Sequence, residues 1–179
     1  MNDKKAQTRE RILKAASSAL ITRGPIEPSV SEVMGAAGLT VGGFYAHFES
    51  KDAMMLEVFN QLLSCRRDAL DAISGDLPGE ERRGLLAAFY LSRKHRDASE
   101  QACPLPSTVA EMARLPDSFR EALAEHVELM TAQLSSSPEE ANTALADLAL
   151  MLGGLALARA LGPGDLSDRV LRAAKSAVL

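Results

Sequence analysis

Between Gly38 and Asp52 the chain reads GLTVGGFYAHFESKD, and no other stretch restricts the possible fold as much. Three of the seven aromatic residues, Phe44, Tyr45 and Phe48, fall within five positions there, directly after the pair Gly42-Gly43. Each glycine costs a helix about 1 kcal/mol relative to alanine, so a helix here needs packing to offset it. Phe44 and Phe48 are four apart, share a face and supply that packing. Upstream, Ser29-Val-Ser-Glu32 is a capping box opening a short helix, with Val33, Ala36 and Ala37 as its small apolar face and Gly38 as its end. Thr40 stands where it can cap a third helix starting at Val41. Two short helices meeting across a tight glycine-containing turn make a helix-turn-helix.

The remaining residues extend this to an all-α fold of about nine helices. Alanine and leucine are abundant and β-branched residues sparse, which favours helices over strands. The first helix is expected from about Asp3 to Thr22, with Ile12, Ala15, Ala16, Ala19 and Leu20 on one face; Gly24-Pro25 stops it. Ser50 caps a fourth helix that begins at Lys51 and runs to about Ile73. Further helices are expected over 80–96, from Pro104 and Pro106 through Met112, and from a second capping box at Ser118–Glu121 to about Leu134. Ser137-Pro-Glu-Glu140 starts another that lasts to Leu161, and Asp165 or Ser167 starts the last. The expected organisation is a three-helix DNA-binding domain over 1–50 and a helical ligand-binding and dimerisation domain over 51–179.

Charge divides the same way. The formal net charge is −4, yet residues 1–51 carry seven Lys/Arg against five Asp/Glu, and the rest thirteen against nineteen. A mildly basic front on an acidic body suggests that only the front meets a polyanion. Cys65 and Cys103 form no CxxC pair, so neither a zinc framework nor a disulfide scaffold is expected, and no metal or cofactor is called for. The charged N-terminus lacks the apolar core of a signal peptide. The most apolar run, Leu148 to Ala158, is too short for a bilayer span. A cytoplasmic protein without membrane contact is the expectation.

A helix that leads into the DNA major groove, about 12 Å wide, must be slim at its tip. Gly42 and Gly43 allow that, leaving Thr40 close to the bases, while Tyr45, His47 and Lys51 are placed to reach phosphates. The segments TRERILKAA and SVSEVMGAAGLTVGGFYAHFESKDAM, with the spacing between them, resemble the helix-turn-helix signature of the TetR family of transcriptional regulators. The resemblance covers roughly the first 60 residues. It implies DNA contacts at Thr40, Val41, Gly42, Gly43, Tyr45, His47 and Lys51, and at Ser31 on the second helix. Val41 departs from the polar or basic residue common there, which leaves methyl contacts, Thr40 and backbone approach to read the operator.

One such motif makes too few contacts for a selective operator, and proteins of this kind dimerise. ALADLALMLGGLALARAL is apolar nearly all round, as befits a helix buried by its own core and by a partner. Leu148, Met151, Leu152, Gly153 and Leu155 on it, with Val170, Leu171 and Ala174 on the last helix, are the expected dimer interface of a four-helix bundle. Met55, Phe59, Phe89, Tyr90, Cys103, Met112, Phe119 and Met130 are candidates to line a small-molecule effector pocket, though each also suits an ordinary core. The resemblance thus implies a repressor released from its operator by an apolar or electrophilic effector. Cys103, in EQACPLPSTVAEM beside a helix start and downstream of Arg93–Arg96, offers a thiol-sensing alternative. A helical interaction module without DNA binding is another. There is no P-loop, GxSxG, HExxH or dinucleotide fingerprint, and an enzyme is not expected.

Overall fold

The computed structural model describes residues 2–98 and 103–179. Among them are nine α-helices and no strand: α1 Asn2–Arg23, α2 Val30–Ala36, α3 Lys51–Ser74, α4 Gly79–Tyr90, α5 Arg93–Asp97, α6 Leu105–Glu111, α7 Asp117–Gln133, α8 Ala141–Leu161 and α9 Asp165–Val178. Three short 3-10 segments, Val41–Ala46, Met112–Arg114 and Pro138–Glu140, complete the helical structure.

Three local expectations change. The third helix is not an α-helix: Val41–Ala46 is a 3-10 turn, and Thr40 sits at its N-cap position without a side-chain hydrogen bond. Two consecutive glycines weaken the α-form, and the tighter form serves over short runs. The helix expected over 80–96 is broken after Tyr90. Buried Leu91 leaves helical geometry, and the Ser92 hydroxyl accepts from the His95 N–H at 3.1 Å to cap α5. A serine cap thus overrides an otherwise continuous apolar period. Finally, α7 starts at Asp117, so Ser118 lies in its first turn instead of opening a capping box.

The chain folds as two compact units. One gathers everything up to Ser64 with Cys103–Glu121. Its core buries Ile12, Ala16 and Leu20 of α1, Val33 and Met34 of α2, Phe44 and Phe48, and Met54, Met55, Val58 and Phe59 of α3. Phe119 at the start of α7 joins it, its ring centroid 5.9 Å from that of Phe59. Arg9 spans α1 and α3, bonding both oxygens of Glu57 and lying 4.7 Å over the Phe48 ring.

The other unit holds Cys65–Ala102 and Ala122–Leu179. Ala87 and Leu91 pack with Met151 and Ala158 of α8 and Leu171 and Ala174 of α9. Leu70, Met130, Leu134 and Ala144 form a second cluster. At Gly154 the two last helices nearly touch: a Cβ there would lie 2.8 Å from that of Ala174. Buried Arg83 ties α4 to α8, with Nε 3.1 Å from Asp147 and Nη1 2.9 Å from Glu140 and 2.8 Å from the Leu134 carbonyl. Buried Arg96 bonds Asp168, Ser167 and Asp97. With its leading turn, α8 (Pro138–Leu161) is long and apolar enough to cross a bilayer by length and composition, beyond the eleven-residue run seen in sequence. Here its inward side packs on α9 and receives Arg83, and only 33% of its most apolar 18-residue stretch is buried within the chain.

Candidate nucleic-acid interface

The interface is built on α2 and the turn after it. Ser29 caps α2 by accepting from Glu32 N–H at 3.2 Å, while Glu32 accepts from Ser29 N–H at 2.7 Å. These bonds, with Arg23 beyond them, lower the Glu32 carboxyl to about 2. Gly38 then takes φ +66°, a left-handed conformation that a side chain would strain. The chain turns, and the Leu39 N–H returns to the Met34 carbonyl at 2.9 Å.

The reading turn, Thr40 to Phe48, has two sides. Phe44 and Phe48 point inward, fully or nearly buried, with centroids 5.6 Å apart. Outward stand Thr40, Val41, Gly42, Gly43 and Tyr45, all exposed, and Ser31 on α2 is exposed as well. Tyr45 is 72% exposed although its ring edge meets Phe44 at 5.2 Å. An aromatic left that far in water on a rigid base is available for a partner surface. Nothing lies within 4 Å of where a Gly42 Cβ would be, so the tip is open to close approach.

Two residues of the set are less simple. His47 is half-buried, and its Nδ1 is buried without a partner. Lys51, also half-buried, donates from Nζ to the Ile26 carbonyl at 2.6 Å. Between α1 and α2, a groove of about 540 Å³ is lined by Arg11, Lys14 and Arg23 among small side chains. Arg11 spends one nitrogen on the Ala37 carbonyl at 2.6 Å, and Arg23 faces Glu32 at 3.0 Å.

The candidate pocket residues divide between the units. In the first, Met55, Phe59 and Phe119 are fully buried, Cys103 is 4% exposed and Met112 half-buried. The part of EQACPLPSTVAEM ahead of Cys103 lies outside the described residues. Neither cysteine is in a disulfide, and Cys65 is exposed. In the second unit, Met130 is buried, Tyr90 half-buried and Phe89 exposed. The rings of Phe89 and Tyr90 flank buried His95 at 4.9 and 5.0 Å. Burial, with Arg159 and Arg66 nearby, lowers His95 to about 4.

The residues expected at a dimer interface also separate. Met151, Leu155, Leu171 and Ala174 point into the unit's own core, while Leu148, Leu152 and Val170 are half-buried and Gly153 is exposed. The exposed large apolar residues on these helices are Leu145, Leu150, Leu157, Leu161 and Leu166, of which sequence reasoning singled out only Leu157 and Leu166. The i, i+7, i+11 spacing of Leu150, Leu157 and Leu161 could have found them, but in a helix apolar on every side it could not be told from the inward stripe.

This geometry defines an all-α helix-turn-helix protein with an exposed, glycine-tipped reading turn. The family model for bacterial regulatory proteins of the tetR family matches residues 12–58. That for the tetracyclin repressor-like C-terminal domain matches residues 79–174. The chain belongs to the TetR family of transcriptional regulators, DNA-binding proteins rather than enzymes. Among curated relatives, it is 31% identical over 94 residues to the uncharacterised HTH-type regulator YvdT of Bacillus subtilis, covering 49% of this chain and 47% of that one. It is 30% identical over 97 residues to the HTH-type transcriptional repressor KstR2 of Mycolicibacterium smegmatis, covering 52% and 46%. The chain spans about a third to a half of the length of the curated relatives it matches. Among solved structures, the reduced form of NemR from E. coli superposes with a TM-score of 0.81 at 22% identity, over 96% of this chain and 95% of that one. A TetR regulator from Chloroflexus aurantiacus gives 0.79 at 21%, over 98% and 94%.

Proposed function

We propose that the protein is a ligand-responsive repressor that binds operator DNA in the cytoplasm as a homodimer. Residues 1–50 form the reading domain and 51–179 the effector-binding and dimerisation domain. The observation that carries the reading is the two-sided turn: Phe44 and Phe48 buried beneath exposed Thr40, Val41, Gly42, Gly43 and Tyr45. Tyr45 and His47 reach phosphates, and Thr40 and Val41 meet base edges, Val41 through its methyls to thymine. Lys51 contributes positive charge beside them. The dimer forms through α8 and α9, and its contact centres on Leu150, Gly153, Leu157, Leu161 and Leu166, with Leu148, Leu152 and Val170 at its edge.

An effector binds among the aromatic and methionine side chains of the larger domain. It stabilises a dimer that fits paired half-sites poorly, since a ligand shifts an equilibrium only by binding one state better. Cys103 is read as a packing residue, because its thiol is nearly inaccessible. The test is selection of duplexes from a random-sequence library by the intact protein, followed by titration by fluorescence anisotropy. The expected result is a palindromic duplex bound with steep salt dependence; recovery of no preferred duplex overturns the reading.

A further inference from the structure

The connector between α1 and α2 decides how the reading motif leaves the first helix. It is a stiff segment, Gly24-Pro-Ile-Glu-Pro28, that starts with Gly24 at φ +78°. Its prolines have no N–H to offer, so its remaining backbone groups carry its anchorage. Ile26 is gripped from both sides. Its N–H donates to Glu111 Oε2 of α6 at 3.0 Å, and its carbonyl accepts from Lys51 Nζ at 2.6 Å. Lys51 opens α3, so one residue's backbone joins the entrance of the motif to its exit.

Two more contacts bring α6 to the same place. The Ser107 hydroxyl donates to the Leu20 carbonyl at 3.1 Å, at the end of α1. At Gly24 a Cβ would lie 2.6 Å from Glu111 Oε2, so the carboxylate occupies the space a side chain would need. The other oxygen, Oε1, faces Arg114 at 3.4 Å. The bond to Ile26 is accepted by a carboxylate, a class about twice as strong as one accepted by a neutral oxygen.

We propose that Glu111 is a positioning residue for DNA recognition. Carried by α6, outside the helix-turn-helix, it fixes the pose of α2 and the reading turn through the Ile26 backbone, with Lys51 as the opposing grip. The inference rests on the assignment of Thr40 to Lys51 as the duplex-facing segment.

The experiment uses the full chain and two probes: a duplex selected by the wild-type protein from a random library, and a mixed-sequence duplex of equal length. Glu111→Asp keeps the charge but is one methylene too short, Glu111→Ala removes the acceptor, and Glu111→Gln keeps an oxygen that can accept from Ile26. The Asp and Ala variants are expected to bind the selected duplex about tenfold more weakly, as for loss of a hydrogen bond to a charged group. Binding to mixed sequence should stay within about twofold and the slope of log K against log salt unchanged, because no phosphate contact is lost. Hydrogen exchange at the Ile26 amide should quicken most in Asp and Ala and less in Gln, whose neutral oxygen makes a bond about half as strong, so that Gln binds the selected duplex about threefold more weakly than wild type. If Glu111→Asp binds the selected duplex as tightly as wild type, or loses affinity equally on both probes, the inference is overturned. If the wild-type protein selects no duplex, the reading of the motif falls and this inference with it.

Discussion

At the residue scale, adjacent side chains in the reading turn have opposite duties. Phe44 is fully buried, and truncation to Ala is expected to cost about 3–5 kcal/mol, lowering the melting temperature and DNA binding together. Tyr45, next in sequence and mostly exposed, should behave differently. Tyr45→Ala is expected to leave thermal unfolding unchanged while weakening duplex binding severalfold in an anisotropy titration; equal affinity would remove Tyr45 from the interface. The histidines give a pH dependence. His126 is buried, accepts through Nδ1 from Arg67 Nη1 at 2.7 Å, and is lowered to about 4 by burial and then by that arginine. His95 is lowered likewise. Both stay neutral in the fold but protonate near 6.5 when unfolded. The unfolded chain then binds more protons between those values, so their contribution is complete above about pH 6.5 and is lost as pH falls towards 4. His126→Gln should flatten the decline of melting temperature across that window, measured by calorimetry at a series of pH values.

At the element scale, the neighbouring glycines of α8 separate packing from association. Gly154 lies against Ala174, so Gly154→Ala forces α8 and α9 apart and is expected to cost about 1–3 kcal/mol in chemical unfolding. Gly153 has nothing within 4 Å, so Gly153→Ala meets no clash and should raise the stability of the single chain by up to about 1 kcal/mol. Helix ends were the most legible part of the chain where the cap is local. The Ser29–Glu32 box and Ser50, whose hydroxyl accepts from Ala53 N–H at 3.0 Å, form as their spacing indicates. Where two signals compete, sequence alone was a poor guide. The apolar period over 80–96 hid the cap at Ser92, and the helix-turn-helix pattern hid the 3-10 form of Val41–Ala46. The total of nine α-helices among the described residues agrees only because one helix lost at the turn is balanced by one gained at the break.

At the scale of the whole molecule, the family and the all-α architecture were readable from some thirty residues, because glycine, ring and cap positions there are fixed by backbone geometry. The bodily assignments were harder. A helix apolar on every side, such as α8, does not announce which leucines face inward, and only folding showed Leu157 exposed beside buried Ala158. That exposure sets an assembly prediction. Leu157→Glu should leave the helical circular dichroism spectrum intact while converting a dimer to a monomer in analytical ultracentrifugation, with loss of selective duplex binding. A variant that remains dimeric would move the interface off this face.

The compact unit that holds the reading motif also claims Cys103–Glu121, and Glu111 is the reason this matters. Anyone grafting a foreign reading head onto this scaffold at residue 50 would discard Ile26 while leaving behind the carboxylate that anchors it. A transplant that brings a matching α6 along with the head should keep its native operator preference, whereas one joined by chain order alone should inherit a loosely aimed head.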